Sequence, residues 1–320
     1  MLPYGYAIRP PSEADLDAIA EVLLADDLET AGRSDYDAEF VRAQWRSPGF
    51  EPGLDGWLAI DAVNAAVGFA LVLPENLDVV KSWGVVHPRH RGRGVGSALL
   101  DRVEARAVER LGDVPGGALH HAADQADEAA ARMLVARGFE HVRSFRHMEM
   151  SFDGPIGSPG PAPAGVAIRD MDPERDLRSV HAIFVEAFRD EWMYRPSSYE
   201  EWAAVEVEVS GFDAGLWFVA LEGDRPVGAI SGSAEGEQGW IGELGVLPAR
   251  RGRGIATSLL RHAFARFAER GFPRVRLNVD AENPTGAVRL YERVGMRVAR
   301  GWEVYAKPVA APSSGSASAG

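Results

Sequence analysis

From Trp240 to Leu260 the chain reads WIGELGVLPARRGRGIATSLL. An apolar, β-like run, Trp240 to Val246, turns at Pro248 into a basic and glycine-rich cluster, Arg250-Arg251-Gly252-Arg253-Gly254. Helical spacing follows through Ile255, Leu259, Leu260, Phe264 and Phe267. A strand, a glycine turn and a helix start together make an anion site. Glycines let the backbone come close, and the first helical turn presents unpaired N–H groups and the positive end of a dipole. Arginines add charge and forked donors. Two common phosphate motifs do not fit. No Gly-Lys pair completes a P-loop, and Gly252-x-Gly254-x-Ala256 lacks the dinucleotide spacing. The plain alternative, for this stretch alone, is a solvated basic helix entry.

The arrangement occurs twice. Val85 to Leu100, VVHPRHRGRGVGSALL, repeats strand, proline, basic-glycine turn and helix start, with Arg91 and Arg251 standing 160 positions apart. The candidate cofactor-binding positions are Leu244, Gly245 and Val246 on the strand, and Arg251, Gly252, Arg253, Gly254, Ile255 and Ala256 at the anion turn. In the first copy they are Val86, Arg91, Gly92, Arg93, Gly94, Val95 and Gly96. The offset extends beyond the motif: Ala7-Ile8-Arg9 matches Ala167-Ile168-Arg169, Trp57 matches Trp217, and Val67-Gly68 matches Val227-Gly228. Asp15-Leu16 matches Asp176-Leu177 one residue off, and Gly138 matches Gly295 at a shift of 157. Repeats this long are two domains of one ancestral fold rather than solenoid units.

Arg251 to Ala256 reads R-x-x-G-x-A, which resembles the pyrophosphate-binding motif of the GCN5-related N-acetyltransferases (GNAT). Leu277 to Pro284, LNVDAENP, followed by Ala287 to Met296, AVRLYERVGM, is similar to that family's strand-Asn-helix-Tyr-Gly segment. The resemblance covers nearly the whole chain. It implies an α/β fold of two tandem acyl-CoA N-acyltransferase domains, each ordered β-α-α-β-β-β-α-β-α-β, with a mixed sheet splayed between its fourth and fifth strands. It also implies acetyl-CoA as acyl donor, no metal, and a small-molecule primary amine attacking directly in a ternary complex. Within it, Tyr291 matches the tyrosine that protonates the leaving thiolate, and Asn283 matches a residue that bonds the pantetheine arm or an ordered water. The plain readings are a core tyrosine with its hydroxyl at the edge and a surface Asn-Pro turn.

The amine must be neutral to attack, so the chemistry needs a base. Glu243 is the leading candidate. Strand alternation puts Ile241, Glu243 and Gly245 on one face, and a carboxylate in so apolar a strand is costly to bury unless it faces a cleft or a partner. A rim carboxylate paired with an arginine is the equal alternative; Glu235 and Glu237 stand in reserve. The first copy lacks these groups. By the repeat, Glu243 aligns with Trp83, Tyr291 with Leu134 and Asn283 with Ala126. It keeps an anion turn without proton-handling groups, so it is expected to bind acetyl-CoA without turnover or to scaffold its partner. The segment Gly211 to Phe218 is similar to the second half of the mycothiol synthases, tandem members of the family; this weaker likeness fixes no acceptor. The competing functions are a non-catalytic acyl-CoA sensor and a transferase of another acyl or aminoacyl group.

Composition bounds these readings. The chain of 320 residues suits two domains. A net charge of −13 argues against nucleic-acid binding, which needs a basic face. It favours a cationic acceptor, drawn by Asp190, Glu191, Glu200, Glu201, Glu206 and Glu208. With no cysteine there is no disulfide, zinc-thiolate or catalytic thiol. His120, His121, His141 and His147 show no metal-ligand spacing. The N-terminus has no apolar leader, and no run of about 18 apolar residues occurs. The expectation is a cytoplasmic protein, a monomer or homodimer, that touches no membrane.

The elements that must position these residues follow from periodicity. The first half, 1–152, ends on a strand from Phe145 to Phe152 and is expected to be non-catalytic. The Pro/Gly/Ser-rich segment 153–165 is a linker. The catalytic half, 166–309, places a helix over Tyr199–Val209, the anion-turn strand at Trp240–Val246, its helix at Ile255–Arg270, a fifth strand at Val275–Val279, and a last strand at Trp302–Lys307. The Ala/Ser/Gly-rich 310–320 is expected to be a disordered tail.

Overall fold

The computed structural model describes residues 2, 4–30, 32, 34, 38–152, 156–209 and 212–309, without the side chains of 208, 209 and 235. The expected tail and residues 153–155 of the linker lie outside the described residues. The chain divides into two compact units, one of residues 1–144 with 300–320 and the other of residues 145–299.

Unit 1 runs β1 (Tyr6–Arg9), α1 (Leu16–Thr30), α2 (Ala38–Trp45), α3 (Pro52–Asp55), β2 (Gly56–Asp61), β3 (Ala66–Pro74), β4 (Val79–Val86), α4 (Val95–Leu111), β5 (Ala118–Asp124), α5 (Glu128–Ala136) and the start of β6 (Glu140–Ser151). Unit 2 takes up the rest of β6 and continues with β7 (Ala167–Asp170), α6 (Pro173–Ala187), α7 (Tyr199–Ala203), β8 (Phe218–Glu222), β9 (Arg225–Glu235), β10 (Gln238–Val246), α8 (Ile255–Glu269), β11 (Arg274–Asp280), α9 (Ala287–Arg293) and the start of β12 (Arg297–Pro308). The expected element order holds in unit 2, and in unit 1 with one short helix added, α3, between α2 and β2. The helix expected over Tyr199–Val209 is α only to Ala203 and continues as a π-helical turn, Ala204–Val209.

Strand alternation decides the layering. In β3, Phe69 and Leu71 pack with Leu16 and Ile19 of α1 and Val41 of α2. Ala70 and Val72 point the other way, to Leu99 and Val103 of α4. Unit 2 repeats the plan with Val180 and Phe184 of α6, Ile230 of β9, and Leu259 and Phe267 of α8 in one core. The repeat survives even in an ion pair between first strand and first helix. Arg9 grips Asp15 at 2.5 and 2.9 Å, and Arg169 grips Asp176 at the same two distances.

In each unit the strand after the anion-turn helix is covered by a strand that its own half of the sequence does not supply. Sequence order assigned Phe145–Phe152 to the first half and Trp302–Lys307 to the second. Pairing reverses both assignments. Phe145 to Ser151 runs antiparallel to Asp280–Arg274 of β11, in unit 2. Trp302 to Pro308 runs antiparallel to Asp124–Ala118 of β5, in unit 1. Both β5 and β11 need a neighbour to satisfy their backbone donors and acceptors. Nothing local in either closing strand says which of the two it will serve.

Candidate active site

The site is built where β10 and α8 meet in unit 2. Gly252 (φ +75°) and Gly254 (φ +81°) take left-handed conformations that L side chains rarely adopt. A Cβ on Gly252 would meet nothing within 4 Å, and one on Gly254 only Pro163 at 3.7 Å, so the turn is open to close approach. Gly254 caps α8, whose first N–H groups face the turn. Arg251 is held without a carboxylate. Its guanidinium donates to the carbonyls of Val246 (3.3 Å) and Ala187 (2.7 Å), so its positive charge is not neutralised. Arg250 and Arg253 instead share Glu222, the former at 2.6 Å. That partner was not visible in the sequence.

The strand leading to the turn is irregular. Expected alternation through Ile241, Glu243 and Gly245 fails, because the β9–β10 register shifts between Ile241 and Leu244. The bulge leaves the Glu243 amide without a ladder partner, and the buried Ser231 hydroxyl accepts it at 2.8 Å. Bulges increase local twist and re-aim side chains. Here the bulge exposes Gly242, leaves Glu243 half-buried, and buries both Gly245 and Val246. Beyond Trp240, β10 also leaves β11: only Gly239↔Val275 and Trp240↔Arg276 pair. The gap opens into a cavity of about 670 Å³.

Most of the residues named from the sequence meet at that cavity. Glu243, Leu244 and Val246 line it from β10, Arg251 to Ala256 from the turn and helix (Arg253 excepted), and Asn283 and Tyr291 from the far side. Gly245 does not line it; a Cβ there would lie 2.9 Å from Phe184. Nor does Arg253, and of the reserve bases neither does Glu237. Asn283 is already engaged, donating to Glu191 at 2.9 Å and accepting from the Thr285 amide and hydroxyl at 2.8 and 2.5 Å. Sequence reasoning missed Phe188 and Tyr194, which form an aromatic side of the cavity. An Arg-Asp-Glu-Trp connection gives no periodic signal by which to find them.

Two proton-bearing groups are perturbed. Burial pushes the Glu243 carboxyl up to about 7; a hydrogen bond from the Trp202 indole opposes that, and Glu206 and Glu191 add to it. Burial also pushes the Tyr291 phenol upward, so it keeps its proton at neutral pH. Among the described residues, the Tyr291 hydroxyl takes no hydrogen bond. One group with a base-like pKa and one reliable proton donor thus face one cavity, a pairing typical of acid–base chemistry. Of the acidic residues expected to attract a cation, Glu191 lines the cavity. Glu201 caps α7 through Ser198 and Glu200 pairs with Arg178, so those two have structural partners.

In unit 1 the same turn is differently satisfied. Gly92 (φ +71°) and Gly94 (φ +85°) keep the left-handed conformation, and Gly94 caps α4. Arg91 is surrounded by carboxylates, however: it bonds Asp26, reaches Glu29 at 2.9 Å and lies 3.9 Å from Asp127. Arg93 bonds the Tyr6 hydroxyl at 3.3 Å. Val86 ends β4, which pairs with β3 without a register shift. β4 and β5 stay paired from Val79↔Ala118 to Trp83↔Ala122.

No group of three or more metal-ligating side chains occurs among the described residues, and no helix there is long and apolar enough to cross a membrane.

Comparison with known proteins places this geometry. Residues 177–296 match the profile described as the acetyltransferase (GNAT) family, and residues 53–141 match an acetyltransferase (GNAT) domain. A mycothiol acetyltransferase of Thermobispora bispora is 33% identical over 240 residues, 71% of this chain and 75% of that protein. One of Clavibacter sepedonicus is 30% identical over 308 residues, 91% and 96% of the two chains. Among solved structures, a GCN5-related N-acetyltransferase of Sphaerobacter thermophilus superposes with a TM-score of 0.87 at 32% identity, over 97% of this chain and 98% of that one. A tandem GNAT protein from the clavulanic acid pathway shares the fold with a TM-score of 0.71 at 16% identity, over 96% and 99% of the chains. Two matched domains and relatives this similar along most of their length show that the chain is an acyltransferase belonging to the GNAT family, with two GNAT domains in tandem.

Proposed function

We propose that unit 2 transfers an acetyl group from acetyl-CoA to a primary amine of a small molecule, both substrates being bound at once. The observation that carries this reading is the shared cavity: Glu243 and Tyr291 face it together, beside an open anion turn. The turn suits a pyrophosphate through the α8 N–H groups, the two left-handed glycines and the un-neutralised Arg251. Leu244 and Val246 of the diverging β10 edge, with Asn283 opposite, flank the path of the pantetheine arm. Glu243, ionised above about pH 7, takes the proton from the acceptor ammonium, directly or through a water. Tyr291 supplies its phenolic proton to the sulfur as the thioester breaks. The acceptor enters as a cation, since Glu191 and Glu243 face the cavity beside Phe188 and Tyr194.

Unit 1 we read as a scaffold. Its arginine is matched by its own carboxylates, its fourth and fifth strands stay paired, and Trp83 and Leu134 stand where unit 2 has Glu243 and Tyr291.

The test is an acetylation assay of the full chain with acetyl-CoA and a panel of amines. The name of its curated relatives makes mycothiol-type acceptors the first to try. Cationic amines should turn over, and their kcat/KM should fall with salt. Turnover of anionic amines alone would exclude the acceptor assignment, and unimpaired turnover in Glu243→Gln would exclude the base.

A further inference from the structure

Glu243 sits at the one irregular point of its strand, and two side chains hold it there. The Ser231 hydroxyl fixes its backbone. Among the described residues its carboxylate has one hydrogen-bond donor, the Trp202 indole Nε1–H, which donates to Oε2 at 3.1 Å. Trp202 is 7% exposed and lies on α7, immediately before the π-helical turn. Its ring is wedged among Trp217 (5.9 Å), Phe184 (6.4 Å) and His181 (5.4 Å), so the N–H cannot swing away from Glu243. Turns of this π type recur at functional sites, where one inserted residue re-aims a helix face. The geometry is that of a rigid donor aimed at one carboxylate.

We propose that Trp202 is the positioning residue for Glu243: its indole N–H fixes the carboxylate rotamer toward the cavity and favours the form that can accept a proton. This role rests on the reading of Glu243 as the base. A tryptophan suits the task because it is a donor only and cannot take the proton that Glu243 gains. The other groups facing Glu243 work against ionisation. Glu206 on the π turn and Glu191 after α6 repel its charge. Tyr194 and Tyr291 reach the cavity as neutral phenols with raised pKa. The arginines nearby bond elsewhere, Arg250 to Glu222 and Arg251 to the Val246 and Ala187 carbonyls. Burial pushes the carboxyl upward most, the two glutamates add to it, and the Trp202 bond opposes them. Removing a hydrogen bond to an ionised group therefore moves the midpoint further up, by about one pH unit.

The experiment uses the full chain and two readouts. In Trp202→Phe the acid limb of kcat/KM should move about one unit to higher pH, leaving turnover roughly 5–10-fold low at pH 7 and near normal on the alkaline plateau. A merely structural role would lower the whole profile without moving its midpoint. The second readout needs no folded variant at that position. In the 15N-labelled native protein, the Trp202 indole resonance should titrate with a midpoint near that of the acid limb, and it should lie flat in Glu243→Gln. A flat indole signal in the native protein, or an unmoved acid limb in a folded Trp202→Phe, overturns the proposal. Failure of the base reading looks different: the indole would still titrate while Glu243→Gln retained full turnover.

Discussion

The two units share element order, layering and an anion turn, and they differ at three places. In unit 2, β10 breaks register at Glu243 and parts from β11 after Trp240; in unit 1, β4 keeps register and stays zipped to β5 as far as Trp83. In unit 2 the turn arginine rests on the backbone carbonyl of Ala187 at the end of α6; in unit 1 it meets the carboxylate of Asp26, four residues before the end of α1. In unit 2 a glutamate and a tyrosine face the opening; their counterparts in unit 1 are Trp83 and the fully buried Leu134. The glycine turn is the part most easily recognised and the least discriminating. On the proposed reading of unit 2 as the site and unit 1 as its scaffold, the features that separate them are whether the adjacent strands part and whether the arginine's charge remains available. Asp26 shows the consequence in unit 1: burial pushes its carboxyl up, and Arg91 is what draws it down again, so the two groups are committed to one another.

The comparison can be broken most severely by cutting the chain. A fragment of residues 166–309 leaves the β11 edge from Arg274 to Asp280 without its neighbour. A fragment of residues 145–299 keeps that edge covered. The second should unfold cooperatively and the first should not, by circular dichroism and thermal melting. Equal melting of the two would mean that the exchanged strand contributes nothing to unit 2.

Next in size is the contrast between Tyr291 and Leu134. Tyr291→Phe keeps the ring and removes the proton, so kcat should fall about 100-fold or more with KM little changed. Leu134→Ala should instead cost about 2–5 kcal/mol of stability, because the side chain is fully buried. Turnover per folded molecule should stay near normal. Steady-state kinetics paired with denaturant melts separate the two effects.

A smaller effect is set by pH. The folded-state pKa of Glu243 lies above that of an unfolded glutamate. Its contribution to stability is therefore present at low pH and is lost as pH rises toward about 7. Glu243→Gln should remove that loss and stabilise the protein by about 1–3 kcal/mol at pH 8, with little change at pH 4. Activity has the opposite sign, rising through the same window as the base ionises. An inactive variant that is no more stable at pH 8 would place the carboxylate in a less demanding environment.

Much of this was legible in the sequence because it is local or repeated. The offset of 160 between Arg91 and Arg251 gave two domains, the glycine-arginine turns named their own conformations, and Tyr291 and Asn283 stood at recognisable spacing from Gly295. The bulge at Glu243 was not legible, because it depends on a hydroxyl twelve positions away, Ser231, accepting an amide that the ladder has released. Trp202 lies inside the expected helix Tyr199–Val209 and carries no signal of its own there; its use lies in the direction of one N–H. The strand exchange was invisible for a third reason. Phe145–Ser151 and Trp302–Pro308 are both adequate closing strands, and the choice between β5 and β11 is made by the assembled chain. Glu222 and Asp26 were likewise unremarkable carboxylates until folding set them against an arginine.

Calorimetric titration with acetyl-CoA distinguishes a chain in which unit 2 alone binds from one in which both units do. Gly94 and Gly254 make a matched pair, since both cap a helix in the left-handed conformation and a glutamate would strain both alike. The account predicts one equivalent of acetyl-CoA per chain, binding abolished in Gly254→Glu by blocked approach and added negative charge, and unchanged affinity in a folded Gly94→Glu. Two equivalents in the native chain, or one equivalent that Gly94→Glu removes and Gly254→Glu spares, would contradict it.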